Sequence, residues 1–358
     1  MKDRPIRVLR LEGDPFDRGA GHGAAFHNEI RRYTAERVRL SVNGSWAGRV
    51  ATSNDAIDLA AAMLPAHQDY APDLYDELDG LAQASSISLA EAIIVGGFTD
   101  FVDAIRAYGA EPGLEEDDCT AVLVPPEATG GEGLFGQTWD MHDSATEHVT
   151  LLRIVPPNGP RALIFSTVGC LGQIGLNSSG IVVGINNLVA SNGGVGVTWP
   201  FVVRKVLQQT DLEAAVECVM KAELAGAHNY LLMDGNGAGY NIEAMPAHRA
   251  VTRLGEDPLV HTNHCLDPKA RETEAARPPD LISSSEARLA KATELMKARP
   301  VMVEDLMALT REPEAICRRS TPPHHNESSG AAIMRPATGE FWACWGVPAE
   351  NDFEGFQV

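Results

Sequence analysis

Basic charge, long apolar runs and closely spaced cysteines are all scarce in this 358-residue chain. Lys and Arg number 29 against 49 Asp and Glu, a formal net charge of −20 with His neutral. Phosphate backbones and anionic bilayers are held by clustered cations, so neither nucleic acid nor a membrane surface is expected as a partner. The most apolar stretches, such as Ile181 to Ile185, are too short to cross a bilayer. Met1 to Arg10 alternates charges with small apolar groups and has no continuous apolar segment of the secretory kind. The six cysteines, at 119, 170, 218, 265, 317 and 344, are far apart and form no Cys-x-x-Cys pair. The plain expectation is a cytoplasmic protein with reduced thiols, most of them buried as small hydrophobes.

What is present fits a globular chain with many loops. Hydrophobic residues make 44 % and charged residues 22 %, with 33 Gly and 22 Pro, enough to bury a sizeable core in one large domain or two ordinary ones. Apolar spacings of three and four predict helices over Ala20 to Leu40, Asp55 to Ala84 and Ser88 to Tyr108. Pro65 and Pro72 are expected to break the second of these, with Ser53 or Asn54 as its cap. Ser88 and Glu91 make a capping box for the third. An acidic loop from Glu111 to Asp118 then ends at Cys119.

Strand signals follow: Thr120 to Val124, Leu134 to Trp139, Val149 to Val155, Ala162 to Val168, Gly172 to Asn177 and Ile181 to Asn186. Helices are predicted at Pro200 to Leu207 and Leu212 to Lys221. A hairpin, Asn229 to Met233 with Gly239 to Glu243, turns at Asp234 to Gly237. Ser285 to Lys297 and Val303 to Leu309 return to helix, and Ala331 to Met334 with Phe341 to Trp345 close as strands. With no internal repeat, this order reads as layered α and β in one compact unit.

Cys119 stands apart from the other thiols. It sits where a flexible acidic loop meets a buried-looking strand, a place where a side chain is held and still accessible. If the Asp118–Cys119 bond is cut, one residue carries both a thiol and a free α-amine. That amine, with a pKa of roughly 7.7–8.0, is a competent base for the thiol at neutral pH.

The runs Asp117-Asp-Cys-Thr-Ala-Val-Leu-Val124, Gly136-Gln-Thr-Trp-Asp140 and His261-Thr-Asn-His264 resemble the acyl-coenzyme A:6-aminopenicillanate acyltransferase family. That family belongs to the N-terminal nucleophile hydrolases and is also classed as a self-cleaving peptidase family. Leu11 to Gly19, Gly180 to Leu188, His228 to Asp234, Ala315 to Arg318 and Gly346 to Pro348 agree in the same order. The resemblance implies an α+β fold, the four-layer αββα sandwich. It also implies self-cleavage into an N-terminal chain, 1–118, and a C-terminal chain, 119–358, that stay together as one compact domain. Cys119 would attack an amide or thioester carbonyl, and Asn263 would donate its side-chain amide to the oxyanion. Asp140 matches a position that holds the amino end of the nucleophile. Thr120 follows the nucleophile as the family pattern requires, and Arg318 would be an active-site cation. Asp118 departs from the pattern, which often has Gly there.

Each assignment has a plainer counterpart. Asn263 and Asp140 also suit turns, Thr120 a strand hydrogen bond, and Arg318 a surface ion pair. Trp139, His142 and His264 are candidates for substrate contact, and Trp139, Trp199 and Phe201 for an apolar acyl pocket, although aromatics near strands are usually core. A rival of another kind assembles His261, His264, Asp140, His142, Asp143 and His148 into a metal-dependent hydrolase, although no His-Glu-x-x-His occurs and Pro322-Pro-His-His-Asn326 reads as a solvated loop. A non-enzymatic small-molecule binder is the other class. Within the enzyme reading, hydrolysis of a small N-acyl amide is favoured over transfer from coenzyme A. Arg204, Lys205, Arg249 and Arg253 are too scattered to cradle the phosphates of that cofactor. No cofactor or metal is expected. The partners are the N-acyl substrate, the two processed chains and, without a sequence signal either way, a second copy.

Overall fold

Apolar alternation from residue 121 onward builds two sheets, and the helices of the first third supply a cover for one of them. A computed structural model describes residues 4–42, 52–107, 118–322 and 325–358. The acidic loop ahead of Asp118 and part of the His-rich segment near 324 lie outside the described residues.

The chain begins with β1 (Val8–Glu12), α1 (Pro15–Ala25), α2 (His27–Ser41), α3 (Ser53–Tyr70), α4 (Pro72–Ser85), α5 (Leu89–Gly96) and α6 (Phe98–Arg106). Next come β2 (Ala121–Val124), the single turn α7 (Pro126–Thr129), β3 (Leu134–His142), β4 (Val149–Val155), β5 (Ala162–Thr167), β6 (Ile174–Asn177) and β7 (Val182–Leu188). Then follow α8 (Trp199–Val206), α9 (Leu212–Lys221), β8 (Ala227–Met233), β9 (Gly239–Ala244), β10 (Arg249–Arg253) and β11 (Leu259–His261). The chain ends with α10 (Pro268–Arg271), α11 (Pro279–Leu295), α12 (Val303–Thr310), β12 (Asn326–Arg335), β13 (Glu340–Trp345) and β14 (Phe353–Gln357). An eight-stranded sheet runs β1-β4-β5-β6-β7-β8-β9-β10, and a six-stranded sheet runs β11-β2-β3-β12-β13-β14. Only the β1–β4 pairing is parallel among these ladders.

Three apolar layers define four structural ones. Leu151, Phe165 and Leu231 of the large sheet meet Leu123, Phe135 and Trp139 of the small sheet in the central layer. The opposite face of the large sheet, with Ile164, Val183 and Leu232, packs on Ala60, Leu78, Phe101 and Val203 of the helices. Val122, Leu134 and Ile333 on the outer face of the small sheet pack on Ala292 of α11 and Leu306 of α12. The order is helix, sheet, sheet, helix: the αββα sandwich. Close approach is bought with glycine at the tightest crossings. A Cβ on Gly19 of α1 would stand 1.8 Å from the Glu77 carbonyl oxygen of α4, and one on Gly184 of β7 would stand 2.1 Å from the Phe135 ring.

Several expectations change. Pro65 does not break its helix: α3 runs through it, because the buried stripe Ala56, Ala60, Met63 and His67 continues past the proline. Thr52, not Ser53 or Asn54, caps α3, in a reciprocal capping box with Asp55. The Ser88–Glu91 box is present, but the helix after it divides at Gly97, where an added Cβ would meet Thr198 at 2.6 Å. Trp199 and Phe201 lie in the layer between helices and large sheet. They are core residues, remote from the central layer that holds Cys119.

Candidate active site

Strand register brings the first two groups together. β11 pairs antiparallel with β2, His261 opposite Ala121, so continuing that register sets Asn263 opposite Cys119. There the Cys119 backbone N–H donates to Asn263 Oδ1 at 2.7 Å. Asn263 Nδ2 donates to the Asn187 carbonyl at 3.0 Å, tying the end of β7 to the site. These two partners fix which way the amide faces: oxygen toward the Cys119 N–H, nitrogen toward the large sheet. The expected donation from Nδ2 to an oxyanion is therefore not the contact Asn263 makes in this structure. Cys119 itself is 1 % exposed, so the accessibility anticipated for it is absent.

β3 grips the residues on either side. Thr138 N–H donates to the Thr120 carbonyl and Asp140 N–H to the Asp118 carbonyl, each at 3.0 Å. The carbonyl of the Asp118–Cys119 peptide thus rests on one backbone donor while its N–H rests on Asn263. Trp139 and Met141 point into the central layer with Cys119. Period-two alternation turns the Asp140 side chain to the other face, toward Ser328, which β12 sets opposite it. Burial pushes the Asp140 carboxyl up to about 7, against the pull of Arg288, the Ser328 hydroxyl and Arg318.

A cation that the sequence reading missed organises this face. Arg288 of α11 is fully buried. Its Nη2 bonds Asp118 Oδ1 at 2.6 Å, and its Nη1 bonds the Cys119 carbonyl at 2.6 Å and Thr120 Oγ1 at 3.3 Å. The second Asp118 oxygen pairs with Arg318 Nη1 at 2.9 Å. Arg318 also holds Ser284 Oγ, and its backbone N–H donates to Ser328 Oγ at 2.9 Å. One turn earlier on α11, Ser285 Oγ accepts from Asn263 N–H at 2.9 Å and lies 2.8 Å from His264 Nδ1. Arg277 completes the cradle by donating to the Asn263 carbonyl. Ser284, Ser285 and Arg288 therefore present one helix face to both sides of Cys119. The signal was available: Ser285, Arg288 and Ala292 are spaced three and four apart, and an arginine inside an apolar stripe marks a buried partner.

The remaining candidates divide. Thr120 and Arg318 are drawn to the cluster through Arg288 and Asp118. His264 supports the Asn263 loop, and burial lowers its pKa to about 4, which keeps it neutral. His142 instead bonds Ser144 Oγ at 2.8 Å and stacks on His325 at the end of β3. The metal constellation is not assembled. His261 Nε2 lies 2.9 Å from Glu243 Oε1 and His264 faces Ser285. No group of three or more His, Cys, Asp or Glu among the described residues is arranged around a common point. The scattered cations also have other employment: Arg204 is buried on Glu77, Lys205 lies over the Tyr70 ring and Arg249 holds backbone carbonyls.

A four-layer αββα sandwich carrying a cysteine at the head of an inner-sheet strand is the architecture of the N-terminal nucleophile hydrolases. The family model described as acyl-coenzyme A:6-aminopenicillanic acid acyl-transferase matches residues 127–350, and this chain belongs to that family. The matched segment carries Asp140, Asn263, Arg288 and Arg318 and begins just after Cys119. The acyl-coenzyme A:6-aminopenicillanic-acid-acyltransferase 40 kDa form of Emericella nidulans is 25 % identical over 271 residues, 74 % of this chain and 71 % of its own. An uncharacterised protein of Archaeoglobus fulgidus is 24 % identical over 253 residues, 64 % of this chain and 41 % of its own. Among solved structures, a conjugated bile acid hydrolase from Clostridium perfringens matches with a TM-score of 0.45 at 10 % identity, covering 67 % of this chain and 97 % of that one. A penicillin V acylase from Agrobacterium tumefaciens matches with a TM-score of 0.39 at 10 % identity, covering 67 % and 86 %. No single helix among the described residues is long and apolar enough to cross a membrane.

Proposed function

We propose that this chain is a cysteine-nucleophile amidohydrolase that cuts its own Asp118–Cys119 bond and then hydrolyses the linear amide of a small N-acyl compound. The observation that carries the reading is the two-sided hold on that peptide: its N–H on Asn263 Oδ1 at 2.7 Å and its carbonyl on Asp140 N–H at 3.0 Å. A backbone donor already on the carbonyl oxygen is what an oxyanion needs as the carbon becomes tetrahedral. Cys119 Sγ attacks the Asp118 carbonyl carbon, a C–S bond forms, and the C–N bond breaks as the Cys119 nitrogen takes a proton. Water then cleaves the thioester, freeing the thiol and leaving Asp118 as a carboxyl terminus.

In the processed form the α-amine of Cys119 keeps Asn263 Oδ1 as its acceptor and serves as base for the thiol. It takes the thiol proton and gives it to the leaving amine of the substrate. Asn263 Nδ2 becomes an oxyanion donor by exchanging the Asn187 carbonyl for the substrate oxygen. Transfer to an amine acceptor shares the same thioester, and the Emericella relative bears an acyltransferase name. Hydrolysis is favoured because Arg204, Lys205 and Arg249 are each spent on internal partners and form no phosphate cradle. The test is rapid acid quench of the purified enzyme during amide turnover, followed by mass analysis. An acyl adduct on the 119–358 chain, absent from Cys119→Ala, is expected; turnover by Cys119→Ala at the wild-type rate would remove Cys119 from the mechanism.

A further inference from the structure

Asp118 is the acyl residue of the bond that Cys119 attacks, and each of its carboxylate oxygens faces an arginine. It is fully buried, with Oδ1 at 2.6 Å from Arg288 and Oδ2 at 2.9 Å from Arg318. Self-cleavage therefore passes through a Cys119 thioester whose acyl group carries a carboxylate two carbons beyond the thioester carbonyl. Substrate turnover passes through a thioester on the same sulfur. Once water cuts the thioester, Asp118 is a chain end free to withdraw, and as it does so Arg288 and Arg318 lose the anion they share. A guanidinium does not shed its proton, and a buried charge without a partner is costly. Asp140 is the acid that remains beside them; in the uncut chain burial pushes its carboxyl up, with the Asp118 charge adding to the shift. Arg288 forms a closed floor, whereas the Arg318 side chain is 29 % exposed, which leaves one side open for an acyl group to enter.

Resting on the self-cleaving reading above, we propose that the processed enzyme selects amides whose acyl half bears its own carboxylate at the spacing of Asp118, that is, succinyl-type half-amides. Arg288 and Arg318 form the subsite for that carboxylate. Cys119 Sγ attacks the amide carbonyl, the C–S bond forms and the C–N bond breaks, and the thiol proton leaves on the amine. Water then splits the thioester and releases a dicarboxylate. The propeptide residue and the substrate thus occupy the same two cations in turn, and the uncut chain is blocked by its own Asp118.

The test uses processed wild-type enzyme and four amides of one chromogenic amine: succinyl, its neutral isostere succinamoyl, butanoyl and the one-carbon-longer glutaryl. The expected kcat/KM for succinyl exceeds that for succinamoyl by about 10²-fold or more, since a site built around a charged group rejects the analogue lacking it. Arg318→Gln should reduce that ratio to below about 10, and Arg318→Lys should restore part of it. Free succinate should inhibit competitively and succinamate should not. Equal rates on succinyl and succinamoyl, or a preference for butanoyl, overturn the carboxylate subsite while leaving the amidase reading intact. A chain that stays whole and turns over none of the four overturns both together.

Discussion

Replacing Arg288 by Met removes a guanidinium that has no solvent to fall back on. To hold the comparison to the single-chain form, the substitution is made in a Cys119→Ala background, where self-cleavage is blocked. Three bonds are lost, to Asp118 Oδ1, the Cys119 carbonyl and Thr120 Oγ1. Arg288 and Asp118 are both fully buried, so the cost is that of breaking a buried pair, about 3–5 kcal/mol, rather than that of a surface ion pair. Arg318 still faces the other Asp118 oxygen, which places the expectation toward the lower end, about 3 kcal/mol. Methionine fills most of the arginine stem, which limits the added cavity cost. The assay is denaturant unfolding of four proteins, the background with Arg288→Met, with Asp118→Asn, with both and with neither. Removing both partners should cost less than the sum of the single losses, with a coupling of about 1–3 kcal/mol. A loss below about 1 kcal/mol for Arg288→Met, or additive singles, would refute the buried clamp.

Asp140→Asn tests the raised carboxyl next door. Burial holds that group up to about 7 against an ordinary 3.8, so between those values the folded chain binds a proton that the unfolded chain has released. Its contribution to stability is present in acid and is lost as pH rises from about 4 to about 7. Asparagine cannot titrate, so the variant should gain on wild type across that interval by up to about 1.4 kcal/mol per pH unit and hold level above it. Parallel stability curves would reject the shift. Asn263→Ala removes the bonds to the Cys119 N–H and the Asn187 carbonyl, so self-cleavage, followed by gel densitometry, should slow. On the processed fraction kcat should fall by roughly 10²–10³ with little change in KM; wild-type kcat there would leave Asn263 a turn residue. Exhaustive chelation should leave amide turnover unchanged, because His261 and His264 are engaged by Glu243 and Ser285; loss restored by zinc or manganese would return the metal reading.

The layers were legible in the sequence because the two sheets are written in apolar alternation from Leu134 to Asn186 and the cover helices in three-and-four spacing. β1, β10, β11 and β14 were not read. β11 is three residues long, and β10 and β14 are partly exposed edge strands whose polar residues dilute the pattern. Pro65 misled because a local rule about proline was outweighed by a buried stripe that only packing reveals. At the site, Cys119 and Asn263 could be named from motifs, but their meeting depends on the register between β11 and β2, which no local pattern states. Arg288 escaped notice because a charge on a helix ordinarily faces water, and the carboxylate that explains its burial lies 170 residues earlier in the chain. Asp118 looked like the end of a solvated acidic loop; instead it is fully buried between two guanidinium groups.

The claim on which the rest depends is that this peptide bond is built to be cut by its own thiol. Intact mass measurement of the purified wild-type chain and of Cys119→Ala after identical incubation tests it most directly. Wild type should resolve into residues 1–118 and 119–358, the second beginning with a free Cys119 amine, while Cys119→Ala stays whole. A wild-type chain that remains uncut and yet hydrolyses amides at full rate would contradict the account, since the base of the mechanism would then never have existed.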